Sequence, residues 1–506
     1  MASDLRAGGP GMLAEPPLTG AEALALLEAD TTLEAARPIL TLAAEYLTAT
    51  RSGEGPVSTW HSAEVIADRL SMPMPRRSRP LADVARRLSS LLLEDVNRLA
   101  HPMYIGHQVS APLPAAVWTD ALVSAYNQSM AVREMSPSFT PLEHQVIEWM
   151  TDLVGWDARA GGTMTSGGTE ATFTALLAAR ARVLPNAWRD GVGANPPVLV
   201  CGEHAHYAVS RAAGEMGLGL SRVAVVPSAA HRLSVALLRE KLAALRAEGT
   251  RVMAVVATAG CTSTGTFDDI NAVADACDEF ADELGPLWLH VDAAHGGAAM
   301  LSAAHKHRVA GLARARSVAW DPHKTLLLPL AAGLLLMREE HDLERAFAQQ
   351  APYLFSANED ARAWDMGPRS FQCSRRADVL KLWVAFERYG ADALAALYDR
   401  LCAMALALHG MLVRHEQFEP LHVPESNILC FAWNPPGADV ADRDALTAAL
   451  RERYNRSGRG WITATTLDGR RVLRVTVMNP RTDVQQLESL VEGLAAEGVQ
   501  VVRHHR

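Results

Sequence analysis

A lysine and an aspartate, each set just beyond a short apolar run, hold the chemical promise of this sequence. Lys324 closes the stretch Trp320-Asp321-Pro322-His323-Lys324, which follows the strand-like Ser317-Val318-Ala319-Trp320. Asp292 ends an earlier apolar run, Leu289-His290-Val291, and leads into Ala293-Ala294-His295-Gly296-Gly297. A lysine amine condenses with an aldehyde to form an imine, and a carboxylate beneath a pyridine nitrogen keeps that ring protonated and electron-poor. Together these are the needs of a pyridoxal phosphate site. Taken singly, each residue has a plainer reading. Lys324 can be a lysine snorkelling from a strand end, and Asp292 can be a helix cap.

Three further motifs also sit just after predicted strands or at a glycine-rich helix start. Thr165-Ser166-Gly167-Gly168-Thr169-Glu170 opens a helical run reaching Arg180. Its small residues let backbone N–H groups approach a phosphate, and Thr169 adds a hydroxyl; a tight turn reads the same way. Glu203-His204-Ala205-His206-Tyr207 follows an apolar run, and His206 can stack on a flat ring or be a hydrogen-bonded surface histidine. Thr262, in Thr258-Ala259-Gly260-Cys261-Thr262, can line a ligand or belong to a simple turn. The order of all five motifs is stronger than any member, because strand ends in an open α/β sheet share one ligand-binding edge.

The elements that must position these groups are legible in outline. Pro197–Cys201, Val252–Ala257 and Trp288–Val291 read as strands buried on both faces, alternating with Ala-rich helices, which predicts a mostly parallel sheet covered by helices. Residues 1 to about 20 read as a leader without the features of a signal peptide, and the stretch to about 100 is helical around a Pro- and Arg-rich break at Pro73–Pro80. Leu326–Met337 reads as a buried turn and strand, too short to span a bilayer. From His341 the chain is polar with scattered aromatics and is expected to be mostly a long loop. A helix over Ala377–Tyr389 and a second to about Glu416 follow, then alternating strands and helices, including Asn427–Ala432, Leu473–Val477 and Val484–Ala496. The expected domains are a helical segment over 1–100, a large cofactor-binding domain over 101–376 with a mobile loop at about 341–371, and a small α+β domain over 377–506.

The 506 residues are 49% hydrophobic and 21% charged, with a net charge of -9, so nothing electrostatic points to nucleic acid or an anionic membrane as a partner. Six cysteines without a CxxC pair argue for reduced thiols, a cytoplasmic setting and no metal or disulfide framework.

With these motifs in hand, the chain resembles the group II pyridoxal phosphate-dependent amino acid decarboxylases of fold type I. That group includes glutamate, aromatic amino acid, cysteine sulfinate and 2,4-diaminobutyrate decarboxylases. The resemblance runs from about residue 40 to the C-terminus. It rests on His101-Pro102, Ser136-Pro137, Ser166–Ala171, His206-Tyr207, His290–Ala294, Asp321–Lys324, Gln372–Arg376 and Leu473-Arg474-Val475. It implies an aspartate aminotransferase-like large domain, a small C-terminal domain and a homodimer with shared active sites. It also implies that Lys324 holds the cofactor as an internal aldimine, with His206 on the ring face, Asp292 at the ring nitrogen and Ala294 beneath. Gly168, Thr169, Asp321 and His323 would surround the phosphate, Thr262 would lie near the ring substituent or substrate, and Arg474 would meet a substrate carboxylate. His107 and His295 are further candidates for shaping the pocket.

The chain departs from that pattern in two places. Where many relatives carry a loop tyrosine that returns a proton to the substrate carbon, ungapped counting places Trp364, whose indole N–H is not a useful acid. Tyr353 in the same loop and His206 are the other candidates. Asp321 stands where several relatives have asparagine. The expected reaction is decarboxylation of a small L-amino acid to its amine. Three alternatives are set beside it: oxidative deamination to an aldehyde, an aminotransferase or β-eliminating lyase, and an inactive binding partner.

Overall fold

The computed structural model describes residues 18–347, 363–435, 437 and 439–505. These fall into two compact units. One comprises residues up to 49 together with 59–96, and the other comprises 50–58 and 97 onward. The first is helical, with Gly20–Ala29, most of Leu33–Arg51, Ala63–Leu70 and Leu81–Leu91. Gly20–Ala29 begins at a capping box, in which Thr19 and Glu22 satisfy each other's exposed N–H groups. The helix Ala63–Leu70 is tied back by Asp95, which accepts from both His61 and Arg69.

The second unit is built on a seven-stranded sheet. In chain order its strands are β1 (Gly161–Thr165), β2 (Val198–Gly202), β3 (Val223–Val226), β6 (Val252–Thr258), β7 (Trp288–Asp292), β8 (Ser317–Trp320) and β9 (Gly333–Met337). The intervening β4 (Ser228–Ala229) and β5 (Arg232–Leu233) form a separate small hairpin. The spatial order is β1-β9-β8-β7-β6-β2-β3. Strands β8, β7, β6, β2 and β3 run parallel, while β9 lies antiparallel between β1 and β8. Parallel sheets are covered on both faces, and every residue of β2, β6, β7 and β8 is buried, as their continuous apolar sequences require. Strand β9 reverses because Asp321–Ala332, the link from β8, contains no α-helix to carry the chain back across the sheet.

A second sheet, of order β10-β11-β13-β12, is antiparallel throughout and consists of β10 (Phe418–Pro420), β11 (Ile428–Trp433), β12 (Thr463–Leu467) and β13 (Arg470–Thr476). The helices Arg443–Arg456 and Val484–His505 accompany it. The two helices read around residue 390 form one run, Val379–Val413, broken at Gly390, whose φ of 74° and ψ of 159° are non-helical. That run has the length and composition of a membrane span, yet Leu382, Leu394, Tyr398, Leu401, Leu408 and Leu412 are buried in the protein core. The stretch expected to be mostly loop opens with a helix, His341–Phe347, and ends with a short turn at Gly367–Arg369.

Candidate active site

Because β1, β2, β6, β7 and β8 point the same way, the residues that follow them meet at one sheet edge, around a cavity of about 390 Å³. Ser166–Thr169 follow β1, His206 and Tyr207 follow β2, and Gly260 and Thr262 follow β6. Asp292 is the last residue of β7, with Ala294 and His295 just beyond it, and Asp321, His323 and Lys324 follow β8. The cavity therefore gathers Lys324, Asp292, His206, Ala294, Gly168, Thr169, Thr262, Asp321 and His323, all nine residues expected around the cofactor.

Two close approaches shape the end of the cavity suited to a phosphate. The 16-residue helix Gly168–Val183 starts there without a side-chain cap, so its first N–H groups face the opening. A Cβ on Gly168 would lie 2.8 Å from the Cβ of Ala294 and 3.1 Å from Oδ2 of Asp321, so only glycine fits. A Cβ on Gly333, at the start of β9, would lie 2.5 Å from the Cα of Gly167, which is why this turn can nestle against the reversed strand. Glu170 braces the loop by accepting from the Ser166 N–H at 2.9 Å and the Ser166 hydroxyl at 2.6 Å. Gln372 adds a third bond to the same carboxylate, at 2.9 Å, which gives the Gln372–Arg376 motif a structural purpose.

The electrostatics favour a cationic ring at the far wall. Burial pushes the carboxyl of Asp292 above its ordinary pKa, and the nearby Lys324 charge only partly offsets this. The Ala294 N–H donates to Asp292 Oδ1 at 3.1 Å. A buried carboxylate with so few donors is stabilised by a protonated pyridine nitrogen, and it stabilises that proton in return. Burial pulls His206 below the ordinary histidine value, so its ring is neutral near pH 7. Its Nδ1 accepts from the Ala208 N–H at 3.3 Å, which leaves the proton on Nε2. Lys324 Nζ lies 3.1 Å from Asp321 Oδ2, while Asp321 Oδ1 is buried without a partner among the described residues. A phosphate-bearing pyridine fits this set, with a cradle at one end, an acid at the other and an amine between.

The remaining candidates stand apart from the cavity. Arg474 is held beside it, donating from Nη1 to the Thr262 carbonyl at 2.8 Å and from Nε to the Thr463 hydroxyl at 3.2 Å. His107, close to Arg474, is pulled below its ordinary pKa by burial and then by that guanidinium. Neither lines the cavity. Trp364 does not line it either. It is 41% exposed and sets its ring edge-on to His144, with centroids 5.2 Å apart. Tyr353 lies outside the described residues.

The structure adds wall residues that the motifs did not single out for the cavity. Gln108 presents a buried Nε2 with no partner among the described residues, and Leu330 sits at the mouth, 58% exposed. Neither follows a strand, so no local pattern marked them. His295 is wholly buried with Nε2 2.7 Å from Asn427 Oδ1, and burial holds its pKa at about 3.

Comparison with known proteins agrees with this geometry. A family model described as the pyridoxal-dependent decarboxylase conserved domain matches residues 68–434. Cysteine sulfinic acid decarboxylase of Rattus norvegicus is 32% identical over 414 residues, covering 79% of this chain and 83% of the relative. L-2,4-diaminobutyrate decarboxylase of Rhizobium meliloti (strain 1021) is 31% identical over 438 residues, covering 86% of this chain and 85% of the relative. Among solved structures, that of mouse CSAD has a TM-score of 0.85 at 28% identity and covers 95% of this chain and 99% of that one.

Proposed function

The chain belongs to the pyridoxal-dependent decarboxylase family and is a pyridoxal phosphate-dependent amino acid carboxy-lyase; on that premise we propose that its substrate is a small acidic or diamino L-amino acid and that it acts as a homodimer with shared active sites. The observation that carries the reading is the meeting of Lys324, Asp292 and His206 in one cavity beside the uncapped helix at Gly168. The aldehyde-forming, aminotransferase and inactive-partner readings are not favoured, since the relatives named above are decarboxylases.

When bound, the cofactor supplies the electron sink for the pair left behind as carbon dioxide departs. The chain's own residues provide its grip and its orientation. Lys324 Nζ would be the amine that holds the cofactor. Asp321 Oδ2, 3.1 Å from Nζ, would accept a hydrogen bond from that amine when it is free. The Asp292 carboxylate would keep a pyridine nitrogen protonated, and the flat ring of His206 would cover one face of the cofactor. Holding the bond to the carboxylate perpendicular to the ring selects that bond for cleavage. Arg474, held beside the cavity through Thr262 and Thr463, would meet a substrate carboxylate. Of the three groups considered for returning a proton to Cα, His206 is the one that lines the cavity among the described residues; neutral at rest, its ring would first have to take up a proton, which the Asp292 and Asp321 carboxylates favour, and in that form we assign it the step.

Carbon dioxide release should be followed with the twenty common amino acids, 2,4-diaminobutyrate and cysteine sulfinate. Turnover confined to aromatic substrates would refute the substrate assignment. Lys324→Ala should abolish the visible absorption of the lysine-bound cofactor, and an unchanged spectrum in that variant would remove the basis of the reading.

A further inference from the structure

Lys381 is a lysine the reaction does not use, yet its side chain is 0% exposed. A buried ammonium needs partners to persist, and this one has two carbonyl acceptors and a carboxylate beside it. Its Nζ lies 2.9 Å from the Ala331 carbonyl, 3.4 Å from the Pro329 carbonyl and 2.9 Å from Asp378 Oδ1. The two carbonyls belong to the turn between Lys324 and β9. Asp378 and Lys381 lie at the start of the long helix Val379–Val413, so the pair ties that helix to the turn.

The turn is closed on itself at the cofactor side. The Ala332 N–H donates to His323 Nδ1 at 3.1 Å, and the His323 N–H donates to the Ala332 carbonyl at 3.1 Å. The other ring nitrogen of His323 faces Asp321 Oδ2 at 3.5 Å. A Cβ on Gly167, in the cradle, would lie 3.1 Å from Cε1 of His323. A continuous set of contacts therefore runs from Lys381 through Ala331 and Ala332 to the His323 ring and on to the cradle.

We propose that Lys381 is a positioning residue for the cofactor phosphate, clamping the Pro329–Ala331 carbonyls so that His323 stands at a fixed distance from Gly167. The inference rests on the pyridoxal phosphate reading of the cavity. It implies that losing the ammonium loosens the phosphate end of the site and leaves the Lys324 and Asp292 end intact. A general loss of packing would weaken both ends alike.

The test compares apoenzyme affinity for pyridoxal phosphate and for pyridoxal, which lacks the phosphate, in the wild type and in Lys381→Met. The variant is expected to bind pyridoxal phosphate about tenfold more weakly, the effect of losing one hydrogen bond to a charged group. Its affinity for pyridoxal should stay within about twofold of the wild type, a margin inside the scatter of neutral substitutions. Equal losses for both ligands, or no loss for either, would overturn the proposal. If Lys381→Met does not fold, Lys381→Gln keeps an N–H donor for the turn and should show the same selective loss, smaller in size; the same two results would overturn the proposal. A wild-type protein that binds neither ligand would sink the cofactor reading itself, and the two failures are thereby distinguishable.

Discussion

Replacing Gly168 by Ala tests the cradle directly. The new methyl would sit 2.8 Å from the Ala294 Cβ and 3.1 Å from Asp321 Oδ2. Carbon atoms rest at about 3.5–4.0 Å, so the methyl pair falls short by about 1 Å. Both neighbours are buried and backed by bonds: Ala294 donates to Asp292, and its carbonyl accepts from the Asp321 N–H at 3.1 Å. The strain therefore falls on the helix start, which must retreat from the cavity. Overpacking of this kind costs about 1–3 kcal/mol. The alanine returns at most about 1 kcal/mol through helix propensity, and less in a first turn. The apoenzyme should accordingly lose up to about 3 kcal/mol of stability. A displacement near 1 Å at the phosphate is expected to lower turnover by about a hundredfold. The assay is a pair of measurements, denaturant unfolding of the apoenzyme and titration with pyridoxal phosphate. Gly214→Ala is the control, because Gly214 lies exposed in the helix Ala208–Glu215 with nothing within 4 Å of the added methyl. It should gain about 0.5–1 kcal/mol and bind cofactor normally. If Gly168→Ala binds pyridoxal phosphate like the wild type, the cradle has been misplaced and the reasoning fails.

Asp292→Asn should separate stability from function. Burial raises the Asp292 pKa, so the unfolded chain loses that proton first and the apoenzyme is destabilised as pH rises above the ordinary carboxylate range. The variant should therefore melt higher than the wild type as an apoenzyme at pH 8, with the difference shrinking toward pH 4, while its turnover falls by about a hundredfold or more for want of a charged partner to the ring. A lower apoenzyme melting temperature at pH 8 would contradict this. His290 and His295 predict the acid limb. Burial holds both near a pKa of about 3, so each is neutral in the fold and takes up a proton on unfolding below about 6.5. Their contribution is complete above that value and is lost at about 1.4 kcal/mol per pH unit for each histidine as pH falls toward 3. His290→Gln should flatten that slope by one histidine's share between pH 6 and 4, read from urea unfolding; an unchanged slope would remove His290 from the account.

The convergence of the candidate site residues was legible because their placement is local. Lys324, Asp292, His206, Gly168 and Thr262 each follow an apolar run or open a helix, and a strand end in a parallel sheet points to the shared edge wherever else the chain goes. Strand positions were legible for the same reason. Continuous apolar runs such as Val252–Thr258 have few fates other than a doubly buried strand. The boundary read after Tyr389 coincides with the break at Gly390, where a positive φ needs a glycine.

What the fold alone decided is which distant segments close around those strand ends. Gln108 and Leu330 carry no motif and reach the cavity only because their segments pack across the sheet edge. Lys381 belongs to none of the motifs in the sequence, and it is buried by two carbonyl acceptors and a carboxylate from two parts of the chain. Trp364 and Arg474 were given places by counting and by resemblance, and packing set one on His144 and the other behind Thr262. The chemistry of a strand end is written in a few neighbouring residues. The walls around it depend on contacts between residues hundreds of positions apart, and those exist only once the chain has folded.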